Sequence, residues 1–227
     1  MNKEQVYEKL EEDMLKYSDL VNVSTHECEE SMQLLQPGNG LAVRPIEKKG
    51  NKEIYVRETV AKKLTKIATR LRKINKNYDL EVVYGYRSLS IQRKLFNEFK
   101  DQYSKSLSGI DLLEAIHRNI AVPEVSGHPT GGAIDVQILQ NATPLDFGTK
   151  IWEFCKDSYS YSPFVCELGK GNRGLLREFM LEEEFAPFNG EWWHFSYGDR
   201  EWAKYYNKSY AIYEQLNLKS NSAKKVD

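Results

Sequence analysis

At 227 residues the chain is long enough to bury one sizeable core and reads as one domain, 1–227. Its 41% apolar and 29% charged residues are ordinary for a globular protein, and no stretch approaches the roughly 20 apolar residues of a membrane span, so no membrane partner is expected. A formal net charge of −1 implies no polyanionic partner, nucleic acid included.

The opening residues, Met1 to Asp13, are too acidic for a secretory signal, so a cytoplasmic location is expected. Val6, Leu10 and Met14 at helical spacing predict an amphipathic helix over Glu4–Tyr17, part of an N-terminal helical extension over 1–40. Gln36–Gly40 is a loop, and the core of the domain is expected over 41–216. Leu41–Pro45 and Glu53–Val56 read as short extended pieces around the polar turn Lys48–Asn51. Val60, Leu64, Ile67, Leu71 and Ile74 form the buried stripe of a long helix over Glu58–Ile74. The cations Lys62, Lys63, Lys66, Arg70, Arg72 and Lys73 on that helix read as a solvated face, with a phosphate-binding patch as the alternative. Leu80–Tyr86 predicts a strand that delivers Arg87 at its far end, and Ser90–Phe99 and Ile110–Ile120 read as helices.

Ala133–Leu139 alternates as a strand does, with Ile134, Val136 and Ile138 to one side and Ala133, Asp135 and Gln137 to the other. Beyond it the sequence predicts a polar loop at Gln140–Pro144, a short helix within Phe147–Cys155 and an aromatic-polar loop at Asp157–Pro163. A helix over Arg173–Glu184, a strand over Trp192–Tyr197, a closing helix over Arg200–Leu216 and a frayed tail over 217–227 complete the chain. Helices around a few antiparallel strands predict an α+β fold: a small, mostly antiparallel sheet surrounded by helices. Three cysteines, Cys28, Cys155 and Cys166, show no Cys-x-x-Cys spacing, which points away from a structural zinc or a disulfide framework. Cys155 and Cys166 could pair in an oxidising compartment, and free thiols are the reading for the cytosol.

The stretch from Ser126 to Asp135 departs from these regular patterns. Pro129, Gly131 and Gly132 break a helix, so His128 sits on a tight turn that feeds the strand carrying Asp135. Asp135 leaves the apolar face of that strand and can look back toward His128. An imidazole and a carboxylate are two metal ligands, and a catalytic zinc takes three with a fourth position open for water. His194, far downstream in the run Gly190–His194, is the candidate third. Each histidine taken alone reads as a core or surface residue with a hydrogen bond, and only the two together point to a metal. His26, in a polar segment, and His117, after apolar Leu112, Leu113 and Ile116, are read as structural. Glu191 is the candidate general base, with a solvated loop acid as the alternative. Positions three apart in a strand face opposite sides, so the backbone must turn between Glu191 and His194 if both are to reach one site.

Ser126-x-His128-x-x-Gly131-x-Ala133-x-Asp135, followed at a distance by Glu191-x-Trp193-His194, resembles the zinc D-alanyl-D-alanine peptidases. Gly85–Ser88, Leu145–Thr149, Asn172–Leu176 and Glu191–Asp199 resemble, in order, the dipeptidases of the vancomycin-resistance type, and the likeness runs over residues 40 to 215. It implies one zinc per chain on His128, Asp135 and His194, and hydrolysis of a small peptide, D-Ala-D-Ala, with Glu191 as proton shuttle. It also implies Arg87 as oxyanion stabiliser, otherwise a surface ion pair, and Ser126 as a substrate contact, otherwise an ordinary turn hydroxyl. One departure stands out. Trp152 occupies the place of the dipeptidase aspartate that holds the substrate ammonium, and the adjacent Glu153 is expected to take over that role. Tyr84 also stands where the dipeptidases tend to have an acid. Both changes keep a D,D-carboxypeptidase, or another cell-wall peptide hydrolase of the same fold, as the alternative. A non-catalytic metal-binding module is the further alternative, against which Glu191 and Arg87 count. Nothing in the sequence sets an oligomeric state.

Overall fold

The computed structural model describes residues 1–45 and 53–217. Its N-terminal stretch opens with helix α1 (Lys3–Glu12), capped by the Asn2 side chain, which accepts from the Gln5 amide. A short helix α2 (Tyr17–Leu20) follows. The single helix expected over Glu4–Tyr17 is therefore broken in two. The cause is tertiary: the Glu114 carboxylate accepts from the Tyr17 and Ser18 amides, so these starts of a new turn are held by a distant acid. Residues 1–40 are also not purely helical, because β1 (Met32–Leu34) pairs antiparallel with β3 (Tyr55–Arg57) and Thr25 bridges Ala211. Between β1 and β3 lies β2 (Leu41–Val43). The turn expected at Lys48–Asn51 lies outside the described residues, as does the tail from 218 onward.

Helix α3 (Glu58–Ile74) has the predicted bounds and buries Val60, Leu64, Ile67 and Leu71. Ile74, expected on the same stripe, is 60% exposed because the helix ends there and the chain turns toward the next strand. The cationic face of α3 is neutralised locally. Lys62 pairs with Glu58, Lys66 with Glu183, Arg70 with Glu182 and Arg72 with Asp79. The solvated-face reading therefore stands over a phosphate patch.

The strands β4 (Tyr78–Tyr84), β5 (Ala133–Gln140), β6 (Thr143–Pro144), β7 (Ala186–Pro187) and β8 (His194–Ser196) complete the main sheet, in the order β2-β4-β5-β8-β7, with β6 beside the end of β5. Only β2 and β4 run parallel; the other pairs are antiparallel. Helices α4 (Leu89–Tyr103), α5 (Gly109–His117), α6 (Glu167–Glu182) and α7 (Arg200–Tyr205) surround it. This is the α+β architecture the sequence predicts. The face of β5 with Ile134, Val136 and Ile138 joins the α3 stripe in the main core, while its other face, also buried, carries Asp135 and Gln137. No helix among the described residues is long and apolar enough to cross a membrane.

Four local expectations are corrected. Phe147–Cys155 forms turns rather than a helix, with Gly148 (φ 78°) and Trp152 (φ 64°) in the left-handed region. Helix α6 begins earlier than Arg173, at Glu167, where Cys166 Sγ accepts from the Gly169 amide. Strand β8 starts at His194, not Trp192, because the His194 amide closes a turn on Glu191 O. Helix α7 stops at Tyr205: Asn207 is left-handed (φ 50°), and beyond it the Ile212 and Tyr213 amides both donate to Gly198 O. All three cysteines are exposed, free thiols.

Candidate active site

Asp135 and His194 are register partners on the antiparallel strands β5 and β8, so their side chains stand side by side on one face. Asp135 Oδ1 lies 3.2 Å from His194 Nδ1. His128 arrives from the turn just before β5, a single 3-10 turn closed by Gly131 in the left-handed region (φ 77°), which a glycine adopts at no steric cost. Buried Arg57 clamps that turn: its Nε donates to Thr130 O at 2.7 Å, its amide to Gly131 O, and its guanidinium pairs with Glu27. His128 Nδ1 donates to Gly85 O at 2.9 Å, since a carbonyl can only accept, and this leaves Nε2 facing Asp135 Oδ1 at 3.6 Å. The ligand atoms of His128, Asp135 and His194 thus lie within 4.8 Å of one another, all three residues buried.

Two imidazoles and one carboxylate form a catalytic zinc donor set with a position to spare. The electrostatics fit a cation at their centre. Burial pushes the His128 imidazole well below its usual range, keeping it neutral and able to coordinate. Burial alone would do the same to His194, but the Glu201 and Asp135 carboxylates outweigh it and push that imidazole well above its usual range. Likewise, burial would raise Asp135, yet His128 and His194 hold its carboxyl below its ordinary value. The Asp135 and Glu201 carboxylates thus set negative charge against His194, which a divalent cation between the candidate ligands would offset.

Two neighbours stand behind the candidate ligands. Trp152 Nε1 donates to Asp135 Oδ2 at 2.9 Å, and Glu201 Oε2 lies 3.3 Å from His194 Nε2. Outer partners of this kind set ring orientation and ligand basicity. Neither was legible in the sequence: Trp152 stands out there only as a departure, and Glu201 looks like one more charge on a surface helix. Trp152 keeps its left-handed backbone while its ring packs edge-on against Tyr84, with centroids 5.1 Å apart.

Glu191 lies in the turn that ends on His194, so the expected change of direction between the two is present. It lines the same cleft as Arg87, Ser126, His128 and His194. Burial pushes its carboxyl up to about 8, with His194 and Arg87 opposing. Arg87 reaches the cleft because a bulge at Val83 shifts the β4 register, setting Tyr84 opposite Asp135. The guanidinium then lies 5.1 Å from the Tyr84 ring centroid. Arg87 is buried, and its Nε has no hydrogen-bond partner among the described residues, a donor left available to the cleft. Ser126 is buried on the cleft wall. Glu153 is not brought to this cluster. It is exposed, and its carboxylate accepts from the Lys150 amide at 3.0 Å, because the left-handed turn at Trp152 sends the indole inward and the next side chain out. His26 is exposed and stacks on Tyr210. His117 is buried and accepts from the Val122 amide, though it also lines the cleft beside Glu201.

The chain resembles known proteins over most of its length. The sequence family described as D-ala-D-ala dipeptidase matches residues 44–215. A D-alanyl-D-alanine dipeptidase of Synechocystis sp. is 27% identical over 194 residues, covering 74% of this chain and 78% of that protein. Among solved structures, a vancomycin-resistance D,D-pentapeptidase in complex with Zn(II) is 17% identical with a TM-score of 0.44, covering 85% of this chain and 96% of that one. The LdcB LD-carboxypeptidase is 18% identical with a TM-score of 0.45, covering 76% and 75%.

Proposed function

The chain belongs to the D-alanyl-D-alanine dipeptidase family of metallopeptidases, and from that premise we propose that it hydrolyses the dipeptide D-Ala-D-Ala with one zinc per chain. The observation that carries the reading is the convergence of His128, Asp135 and His194 in a buried cluster whose cleft is also lined by Glu191 and Arg87. His128 Nε2, an Asp135 carboxylate oxygen and His194 Nδ1 would hold the metal. When bound, zinc supplies an electrophilic charge that acidifies water and polarises the scissile carbonyl. Glu191 takes a proton from the attacking water and hands it to the departing amine nitrogen as the C–N bond breaks, so that one peptide and one water give two molecules of D-alanine. Arg87 stays charged throughout and presents its guanidinium to the oxyanion that develops on the carbonyl. Ser126 holds the substrate at the cleft wall.

Replacing Glu191 by Ala deletes the proton shuttle and leaves the metal ligands in place. The variant is expected to bind zinc stoichiometrically and to lose about 10²–10⁴-fold in kcat. His194→Ala should lose metal and activity together. An unchanged kcat in Glu191→Ala would exclude Glu191 as the base.

A D,D-carboxypeptidase is the second reading, and one observation favours it. Trp152 presents an indole, not an acid, beside Asp135, and with Tyr84, Leu95, Phe99 and Phe154 it lines the cleft next to Arg87 and Glu191. A free ammonium gains less from such a wall than an acylated nitrogen does.

A further inference from the structure

Glu191 is shared by two spaces. One is the cleft with the candidate metal ligands, His128 and His194 lining one part and His128 and Asp135 the other part. The other is a cavity of about 290 Å³ in which Glu191 is flanked by Gly190 and Trp193 and which none of the three metal ligands lines. Asn119 belongs to both walls, so the two spaces adjoin. One residue of α1, Glu11, lines the second cavity, and α1 precedes the family-matched segment 44–215. Besides Glu191, the charged lining of this cavity is Glu11 from α1, Arg118 at the C-cap of α5, and Lys156.

These charges match in number, two acids against two cations, but they are paired unevenly. Glu11 is the hub: Tyr159 Oη donates to its Oε1 at 2.8 Å, Lys156 Nζ lies 3.4 Å from the same oxygen, and Arg118 lies 3.7 Å from Oε2. Lys156 has a second acid, Glu4 of α1. Arg118 has only the long contact to Glu11 as an ion pair among the described residues, and its side chain is half-exposed. A guanidinium offers five donors in a planar fork, and a single acid beyond hydrogen-bond distance leaves that fork open to a second carboxylate.

We propose that this cavity is a subsite for a carboxylate of the peptide substrate, read by Arg118 and bordered by Glu11 of the N-terminal helix, which holds Arg118 and Lys156 at its rim. The inference rests on the reading of the chain as a D-Ala-D-Ala peptidase and adds a specificity residue to it. The carboxylate has two possible sources: the C-terminus of the dipeptide, or an acidic group upstream in a longer peptide.

The test compares zinc-loaded wild type, Arg118→Gln and Arg118→Lys on three peptides: D-Ala-D-Ala, its C-terminal amide, and N-succinyl-D-Ala-D-Ala. Loss of a charged hydrogen bond is expected to raise KM by about tenfold to a hundredfold with kcat retained, and Lys should restore part of the loss. A rise for D-Ala-D-Ala but not for its amide assigns the C-terminal carboxylate; a rise confined to the succinyl peptide assigns an upstream one. KM values that stay unchanged, or rise equally for all three peptides, overturn the subsite while leaving the activity intact. If the wild type cleaves none of them, the activity reading fails instead. Calorimetric binding of the same peptides then decides the subsite: weaker binding of a carboxylate-bearing peptide to Arg118→Gln supports it, and equal affinities overturn it.

Discussion

Asp135 serves three neighbours with one carboxylate: His128 and His194 approach Oδ1, and the Trp152 indole donates to Oδ2. Trp152→Phe keeps the ring against Tyr84 and removes only the donor, so the carboxylate loses its orientation. Loss of such an outer partner typically costs about 10–100-fold in metal affinity or activity, and a chelator-competition titration should show weaker zinc binding of that order. Glu153→Gln is the contrast. Its carboxylate is spent at the surface on the Lys150 amide, so KM for D-Ala-D-Ala should not move; a rise would return Glu153 to the ammonium role. The three candidate ligands were legible because each sits in a recognisable run of residues. Glu201 was not, because only the fold brings the first turn of α7 against His194 Nε2.

Among the elements, the turn His128–Thr130 carries the most demand per residue. Gly131 must hold φ 77°, and its amide donates to His128 O at 3.2 Å. Gly131→Ala is expected to cost about 1–2 kcal/mol, the usual penalty of a Cβ in the left-handed region, and to weaken zinc binding because His128 shares the turn. Urea unfolding with and without metal checks both effects; wild-type stability would mean that the turn relaxes freely. Helix α3 was legible to the residue because its apolar spacing spans many turns. Helix α7 was overextended for the opposite reason. Beyond Tyr205 the buried residues Ala211 and Tyr213 alternate with half-buried Ile212, a period of two that marks extended chain with a single bridge from Ala211 to Thr25, and the apolar count alone could not tell this from a helix. The turns at Phe147–Cys155 were hidden because left-handed backbone at a tryptophan is set by tertiary contacts, not by local preference.

For the whole molecule, buried and half-buried phenols set an alkaline limit. Burial pushes Tyr206 up to about 12 and Tyr213, whose hydroxyl donates to Glu30, higher still. An unfolded tyrosine ionises near about 10. The folded values are raised, so this contribution is fully present below about pH 10 and is lost as pH rises through about 12. Stability measured by denaturant midpoint should hold through neutral pH and fall across that alkaline window, and Tyr213→Phe should shift the fall upward; an unchanged onset would exclude Tyr213 as a source. The α+β class and the mostly antiparallel sheet were legible from alternating strands among helices. The packing of 1–40 onto the core was not, since Tyr17, Glu27 and Glu11 meet their partners Glu124, Arg57 and Tyr159 only across long separations in sequence.

The central claim is metal-dependent cleavage of a free D-Ala-D-Ala dipeptide at the His128, Asp135 and His194 cluster. It is tested most directly by following release of D-alanine from D-Ala-D-Ala, L-Ala-D-Ala and an N-acylated peptide ending in D-Ala-D-Ala, with the zinc-loaded protein, after chelation, and after zinc is restored. The predicted result is cleavage of D-Ala-D-Ala in preference to the other two, abolished by chelation and recovered with zinc. Cleavage that survives complete chelation, or a protein that leaves the free dipeptide intact while trimming the acylated peptide, would contradict it.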